Sequence, residues 1–577
     1  MDILKEGTLS AGGVLAWLDG SPARFWVTAW SVFAVAAAVA VGAALPWGGR
    51  RWWCKPGLFV GLSLLSILAF RWPILFDNRE LQDPDESQMM SGALTLSHDS
   101  TFWRSVDGTT HGPLVDWPLL GALRLTGTMD YTEARTVSAL LAWLEILCAW
   151  LVLAHFFGDG LGRVLVLPLF AMHAFTDFWN FTQYSSEHAP DAMIALASVL
   201  LVTAWDSSGR LRPGPRLFAA GLVLGAVPFG KLQLAPVAAW VAVFGFWQIC
   251  RAGGAAWGAR LRTCAAFAAC GLAVPALTLL WIWRRGLWPD FYESYLLDNL
   301  RYAGSRSYSW AETPGRFFDL CAPVPDFGPY FLWLSCALVC ALFAWRWIDR
   351  WHRRWAVFAV GLVLASIYAA MAPGRPFPHY LQVMIFPAGL AAGLLAGAVI
   401  EAALRRSASS PPARRACQAL ILAAVLALGL APQIHWRIHE NQADMGSFAA
   451  NHGMLQRGEV AREVLKHARP GEALGIWGWY PTLWIQTGMV QATRDGNNWR
   501  QLEYTGLQPY YRARYMADLT RSRPPVLVDA AGEGNFAFSS RANGHECFSE
   551  LDGYLRSNYR LAADVKAMRV YVRNDRP

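Results

Sequence analysis

The 577-residue chain lacks the short signatures of soluble nucleotide chemistry. It has no P-loop and no glycine-rich dinucleotide turn after a strand, so an ATP-driven or soluble sugar-nucleotide mechanism has no anchor. A Gly-x-Ser-x-Gly elbow is also absent, which removes a common hydrolase arrangement. Charge is sparse: 16% of residues are Asp, Glu, Lys or Arg, against 54% hydrophobic. The ten cysteines show no metal-ligand spacing. Cys336 and Cys340 sit inside an apolar run and read as packing residues. Cys321 and Cys547 alone are placed outside the membrane, which leaves one weakly supported disulfide pairing. No internal repeat is found, and residues 1–21 carry acidic residues without the apolar core of a cleavable signal peptide.

What is present is membrane-like. Apolar runs of about 20 residues recur, the length needed to cross a bilayer core. Thirty Trp fit the same class, because Trp concentrates at both interfaces. The runs fall at 25–45, 57–76, 132–156, 161–176, 189–205, 215–229, 232–250, 262–283, 329–346, 355–372, 381–402 and 416–432, and predict a mostly α polytopic membrane protein of about 12–13 transmembrane helices. The net charge of +8 is carried by arginines in alternate loops. Arg50 and Arg51, then Arg210, Arg212 and Arg216, then Arg251, Arg260 and Arg262, then Arg346, Arg350, Arg353 and Arg354, then Arg405, Arg406, Arg414 and Arg415 all fall on one side. The positive-inside rule makes that side cytoplasmic. The other side receives 77–131, 177–188, 284–328, 373–380 and everything after 433.

The composition changes near 433. Residues 1–432 read as the transmembrane domain, with 77–131 as its first external loop, and 433–577 as a small α/β domain on the external side. Glu472-Ala473-Leu474-Gly475-Ile476-Trp477-Gly478, Pro525-Val526-Leu527-Val528-Asp529 and Val570-Tyr571-Val572 read as strands. Residues 459–467 read as a helix ended by Pro470-Gly471. Residues 407–412 form a short cytoplasmic linker.

The external loops carry the candidate chemistry. Asp83-Pro84-Asp85-Glu86-Ser87-Gln88 opens the first loop. An Asp-Glu pair at a membrane surface suits deprotonation of an acceptor hydroxyl, or a divalent cation held through oxygen ligands. Adjacent residues point differently, so one of Asp85 and Glu86 faces the substrate and the other supports it. The plainer reading is a solvated acidic connector. His111 and Asp116, in Thr110-His111-Gly112-Pro113-Leu114-Val115-Asp116-Trp117-Pro118, belong either to a rigid re-entry turn or to the pocket of Asp85. Glu187, His188 and Asp191 stand at the head of a span; Glu187 and Asp191 share one helix face and either line a cavity or complement the helix dipole. Lys231 lies between two apolar runs and either snorkels or binds an anionic head group. Arg375, His379 and Tyr380 offer the same choice, and Arg301 and Arg306 are further external cations.

Together these pieces resemble the GT-C superfamily of integral-membrane glycosyltransferases, and within it the protein O-mannosyltransferase and lipid A aminoarabinose transferase branch. The likeness rests on Asp85-Glu86, Ala93-Leu94-Thr95-Leu96, Asp99 through Trp103, His111-Gly112-Pro113-Leu114, and His379-Tyr380-Leu381 followed by Pro387. Gly478-Trp479-Tyr480-Pro481 and Tyr559-Arg560-Leu561 resemble the tail of bacterial members. Three features depart from that pattern: Ser87-Gln88, Gly112 in place of a proline, and the extra span at 25–45. The resemblance implies an inverting transferase of the bacterial inner membrane, with its site and C-terminal domain periplasmic. It implies a polyprenyl-phosphate sugar donor and a lipid, glycan or protein acceptor. Asp85, Glu86 and His111 would be catalytic, with Asp85 as the base. Asp116, Glu187, His188, Asp191, Lys231, Arg301, Arg306, Arg375, His379 and Tyr380 would bind substrate. No ligand spacing demands a metal, although a divalent cation near Asp85 or Glu187 is compatible with these side chains. A transporter or flippase of lipid-linked sugars would share the spans and the cationic cavity. It should also show two related halves with broken helices, and the sequence has no such symmetry.

Overall fold

The computed structural model describes residues 17–18, 20–45, 51–80, 84–206, 209–253, 256–406, 419–420, 422–439, 454–503 and 505–576. Asp83, most of residues 1–21, the linker 407–412 and the first residues of the span at 416–432 lie outside them. Among the described residues, eight helices are long and apolar enough to cross a membrane: Pro22–Ala44, Pro56–Leu75, Tyr131–Phe157, Leu232–Cys250, Trp257–Arg284, Phe327–Trp347, Arg350–Met371 and Pro378–Arg406. The expected spans at 161–176, 189–205 and 215–229 fall on shorter helices, Asp159–Phe175, His188–Val202 and Pro215–Ala226. The last expected span falls on a helical run over 422–439 with a π-helical stretch at Leu426–Leu430. Eight of the twelve apolar runs are thus full-length helices, three are shorter ones, and the last is described only in part.

Local chemistry explains where the helices start. Pro22, Pro56, Pro113 and Pro215 occupy first-turn positions, where a missing N–H costs nothing. The Tyr131–Phe157 helix is opened by a capping box: Asp130 accepts from the backbone of Thr132 and Glu133, and Glu133 accepts from Asp130 N–H. The Pro378–Arg406 helix runs through the middle of the bundle, with 94% of its apolar window buried, while Trp257–Arg284 buries 11% and faces outward. That outlying helix is held by close backbone approach. A Cβ on Gly225 would stand 1.9 Å from the carbonyl oxygen of Gly271, so only glycine allows this crossing.

Among the described residues, the loops expected to be cytoplasmic gather at one end of the bundle, where Arg405 pairs with Asp349 (2.7 Å) and Trp351 lies near Gly209. The first-loop segment lies at the other end. It is not an irregular connector. It forms two helices, Asp85–His98 and Pro113–Thr126, and ten of the fourteen residues in the first are buried.

The C-terminal unit is a five-stranded sheet of order β2-β1-β3-β5-β4: β1 Ala473–Trp477, β2 Val490–Gln491, β3 Val526–Asp529, β4 Tyr559–Val565 and β5 Met568–Arg573. β1 runs parallel to β2 and β3, whereas β5 is antiparallel to β3 and β4. The three expected strands correspond to β1, β3 and β5, the first two shortened at their ends. The possible Cys321–Cys547 disulfide does not form, and both cysteines are free. Cys321 ends a short helix on the bundle side, and Cys547 lies in the C-terminal unit beside Arg512.

The unit sits directly on the Asp85–His98 helix. Gln491 donates to Ser91 (2.8 Å), Asn497 donates to Gln88 (2.9 Å), and the Thr482 hydroxyl meets Tyr131 (2.8 Å).

A Gly225→Ala variant is expected to lose roughly 1–3 kcal/mol of stability, the cost of overpacking a tight contact. Thermal melts in detergent would detect it, and an unchanged midpoint would contradict the close crossing.

Candidate functional site

The Asp85–Glu86 pair begins a helix, and the pair divides as helical geometry requires. Glu86 turns inward and is 1% exposed. Arg135, fully buried, donates to it from Nη2 (2.8 Å) and Nε (3.2 Å). The Glu86 carboxylate also accepts from Tyr184 N–H (2.9 Å). The other guanidinium hydrogens of Arg135 go to the carbonyls of Ile74 (2.9 Å), Asp77 (2.5 Å) and Arg79 (2.9 Å). Arg135 therefore ties the end of one span to the start of the next helix. Asp85, half-buried, points elsewhere and lies within electrostatic reach of Tyr302 and Tyr380.

Facing it is a second group of residues from three loops. The Pro215–Ala226 helix ends in two single turns, Val227–Phe229 and Leu232–Leu234, and Lys231 sits in the break between them. Non-helical backbone at membrane depth is tolerated where it lines a cavity. Lys231 is 3% exposed; its ammonium donates to Ser186 Oγ (2.7 Å), pairs with Glu187 and lies 5.2 Å from the ring centre of Tyr380. Burial alone would raise the Glu187 carboxyl, but Lys231 and His379 hold it down to about 2. The Tyr380 hydroxyl meets that of Tyr302 at 2.8 Å. The Arg375 guanidinium stands 5.1 Å from the Tyr302 ring centre and donates to Ser305 (2.8 Å) and Ser307 (3.3 Å). Its Nε is buried without a partner, and among the described residues no carboxylate pairs with it.

The structure thus brings Asp85, Glu187, Lys231, Arg375, His379 and Tyr380 together. His111 is nearby but turned away: its ring bonds Asp116 (3.2 Å), and both are buried. Burial pushes the Asp116 carboxyl up, against the pull of His111. The backbone of the His111 loop bridges to Lys231, and Gly112 N–H donates to Gly230 O at 2.7 Å. A Cβ on Gly112 would meet the Phe229 carbonyl oxygen at 2.2 Å, which accounts for glycine at this position. His188 stacks on Tyr184 and bonds Ser138 and Ser185, a packing role. Asp191 lies one turn below Glu187 and is also buried.

Two expected ligands are engaged otherwise. Arg306 donates to the carbonyls of Met371 (3.3 Å) and Ala372 (2.6 Å) and lies 3.7 Å from the Trp310 ring centre, so it ties its loop to the end of the Arg350–Met371 helix, beside Gly374. Arg301 is exposed and directed toward Gly506 of the C-terminal unit. Sequence reasoning missed Arg135 and Tyr302. Arg135 carries a readable signal, a cation at the wrong end of an apolar span; Tyr302 carries none.

A shallow, open apolar groove of about 500 Å³ lies between the Leu232–Cys250 and Arg350–Met371 helices, lined by Pro236, Ala239, Trp240, Gly361, Leu364 and Ala365. Among the described residues, one set of side chains has metal-ligand spacing: Asp529, His545 and Glu546, in the C-terminal unit. Arg569 bonds both carboxylates of that set, so a guanidinium already answers their charge.

No protein-family model matches the chain, and no curated protein matches it in sequence. Solved structures do match. ArnT from Cupriavidus metallidurans bound to undecaprenyl phosphate aligns with a TM-score of 0.55 at 14% identity, over 90% of this chain and 98% of that one. The same protein in the apo state aligns with a TM-score of 0.53 at 14% identity, over 89% and 97%. The chain has the ArnT-like GT-C fold, as the motifs led us to expect.

Because the Glu187 carboxyl is held below its ordinary 4.5, the stability it contributes is present above that value and lost as pH falls toward about 2. A Glu187→Gln variant should therefore be less stable than wild type by a gap that is flat from about pH 6 to 8. The gap should close as pH falls through 4.5. Thermal melts across pH test this, and a gap that widens on acidification would exclude a charged Glu187–Lys231 pair.

Proposed function

We propose that this chain is a glycosyltransferase that moves a sugar from a polyprenyl-phosphate donor to a lipid, glycan or protein acceptor. The reaction takes place at the periplasmic face of a bacterial inner membrane. The observation that carries the reading is a carboxylate, Asp85, set across from a cationic and aromatic wall, with an apolar groove along the helix that follows Lys231. A donor of this class has the same three parts: a sugar to be attacked, a phosphate to be neutralised and a prenyl tail to be kept in lipid. That an ArnT of similar fold was solved with undecaprenyl phosphate supports this donor class. On this reading residues 1–432 form the catalytic membrane domain and 433–577 the periplasmic domain.

In this mechanism the acceptor hydroxyl attacks the anomeric carbon while its proton passes to the Asp85 carboxylate. The bond from that carbon to the phosphate oxygen breaks, and its electron pair stays on the lipid phosphate. Attack opposite the leaving group inverts the anomeric centre. Arg375, which has no carboxylate partner among the described residues, offers its fork of N–H donors to the developing charge. Lys231 has most of its charge answered by Glu187, so it acts as a fixed dipole with that partner. Glu86 and Arg135 hold Asp85 in place, and the His111–Asp116 pair holds the wall next to Lys231. The groove between the Leu232–Cys250 and Arg350–Met371 helices receives the first prenyl units.

An Asp85→Asn variant should reach the membrane at wild-type levels and lose transfer by about 10²-fold or more, the usual worth of a general base. The assay is purified protein in lipid with a polyprenyl-phosphate sugar, scored for glycosylated product. Full activity would remove Asp85 from the base role. Arg375→Ala should raise the donor KM by about tenfold while leaving the acceptor KM alone. Unaltered donor kinetics in both Arg375→Ala and Lys231→Ala would sink the phosphate assignment.

A further inference from the structure

One short arm touches three loops of the site, those of Lys231, His111 and Arg375. It runs from Trp288 to Gly304 as a helical turn Trp288–Asp290, a π-helix Phe291–Leu297 and a helix Asp298–Gly304. Tyr295 donates to the Pro228 carbonyl (2.5 Å), just before Lys231. Asn299 donates to the Thr109 carbonyl (3.3 Å), just before His111. Tyr302 reaches the Tyr380 hydroxyl and lies beneath Arg375.

Both ends of the π-helix are gripped from the C-terminal unit. Arg494 pairs with Asp290 at 2.7 Å, and Tyr510 donates to the same carboxylate at 2.6 Å. Arg494 is itself locked by Asp518 (2.7 Å) and the Trp103 carbonyl (2.9 Å), so it is a fixed anchor. Arg500 donates to Asp298 at 2.6 Å, and their side chains are 13% and 19% exposed. Asp298 and Tyr302 are spaced i, i+4 and share one helix face. A π-helical stretch is uncommon and poorly self-supporting, and it persists where surrounding contacts hold it.

We propose that the C-terminal unit is part of the donor site: Arg500, acting through Asp298, is a positioning residue that sets where Tyr302 stands at the phosphate end of the pocket. This deepens the transferase reading and rests on it. The sheet unit is then more than a tether. It stretches the arm between two arginine anchors and so fixes the surface against which Arg375 meets the lipid phosphate.

The test uses the full chain in nanodiscs, with undecaprenyl phosphate as the probe. Binding is followed by native mass spectrometry for wild type, Arg500→Gln, Tyr302→Phe, their double variant, and the charge-reversed pair Arg500→Glu with Asp298→Arg. Arg500→Gln is expected to weaken binding about tenfold, the double variant no more than either single, and the reversed pair to recover most of the loss. Hydrogen exchange in residues 298–304 should rise in Arg500→Gln and fall back in the reversed pair. A lowered melting temperature with unchanged lipid affinity would show a merely structural contact and overturn the proposal, as would additive losses in the double variant. If wild type itself fails to bind the lipid, the donor assignment falls. Exchange at 298–304 still decides the anchoring: unchanged exchange in Arg500→Gln refutes it, and raised exchange upholds it.

Discussion

The buried pair between Glu86 and Arg135 is the constraint on which the rest of the site depends. Neither charge sees solvent, so each is costly without the other, and removing one partner of such a pair costs about 3–5 kcal/mol. The pair is weak evidence for stability, since apolar residues of similar volume would often do as well. Its value is positional. Arg135 spends its remaining hydrogens on three carbonyls between Ile74 and Arg79, which fixes the exit of one span. Glu86 spends its second oxygen on Tyr184, next to the loop of Ser186 and Glu187. With Glu86 held inward, the helix places Asp85 on the side where Tyr302 and Tyr380 stand.

Around that point the charges fall into two kinds. Glu86 with Arg135, Glu187 with Lys231, and Asp107 and Asp495 with Arg514 are buried acids facing buried cations. Their charges are turned chiefly to one another, which offsets the cost of burying them. Arg375 is different: its bonds go to serine hydroxyls, which leave its charge unanswered among the described residues. The distinction separates paired charges from Arg375, the proposed phosphate ligand, and it reorders the expected cations, because Arg306 donates to backbone carbonyls and Lys231 to Glu187.

Much of the membrane architecture was legible before any coordinates, because burial in lipid demands long uninterrupted apolar runs and few other signals are as strong. The short runs at 161–176, 189–205 and 215–229 fall on short helices, as their lengths imply, but hydropathy does not register that the last breaks before Lys231. The turns around Lys231 show that the break matters. The first loop looked irregular because its helix Asp85–His98 is buried on several sides, against the bundle and the C-terminal unit, and so shows no amphipathic stripe. β2 and β4 went unread: β2 has only two residues, and β4 exposes much of its length.

Three things could be read from the chain alone: the class of protein, the end of the bundle at which the polar clusters meet, and the residue types available there. These follow from solvation, which acts on each segment almost independently. Only the folded chain turns Glu86 inward to Arg135, bonds His111 to Asp116, commits Arg306 to backbone carbonyls, and brings Arg494 and Arg500 back some two hundred residues to Asp290 and Asp298. Such assignments depend on pairing between charges distant in the chain. A buried charge must find a partner wherever the fold brings one, and no local pattern records which partner that will be.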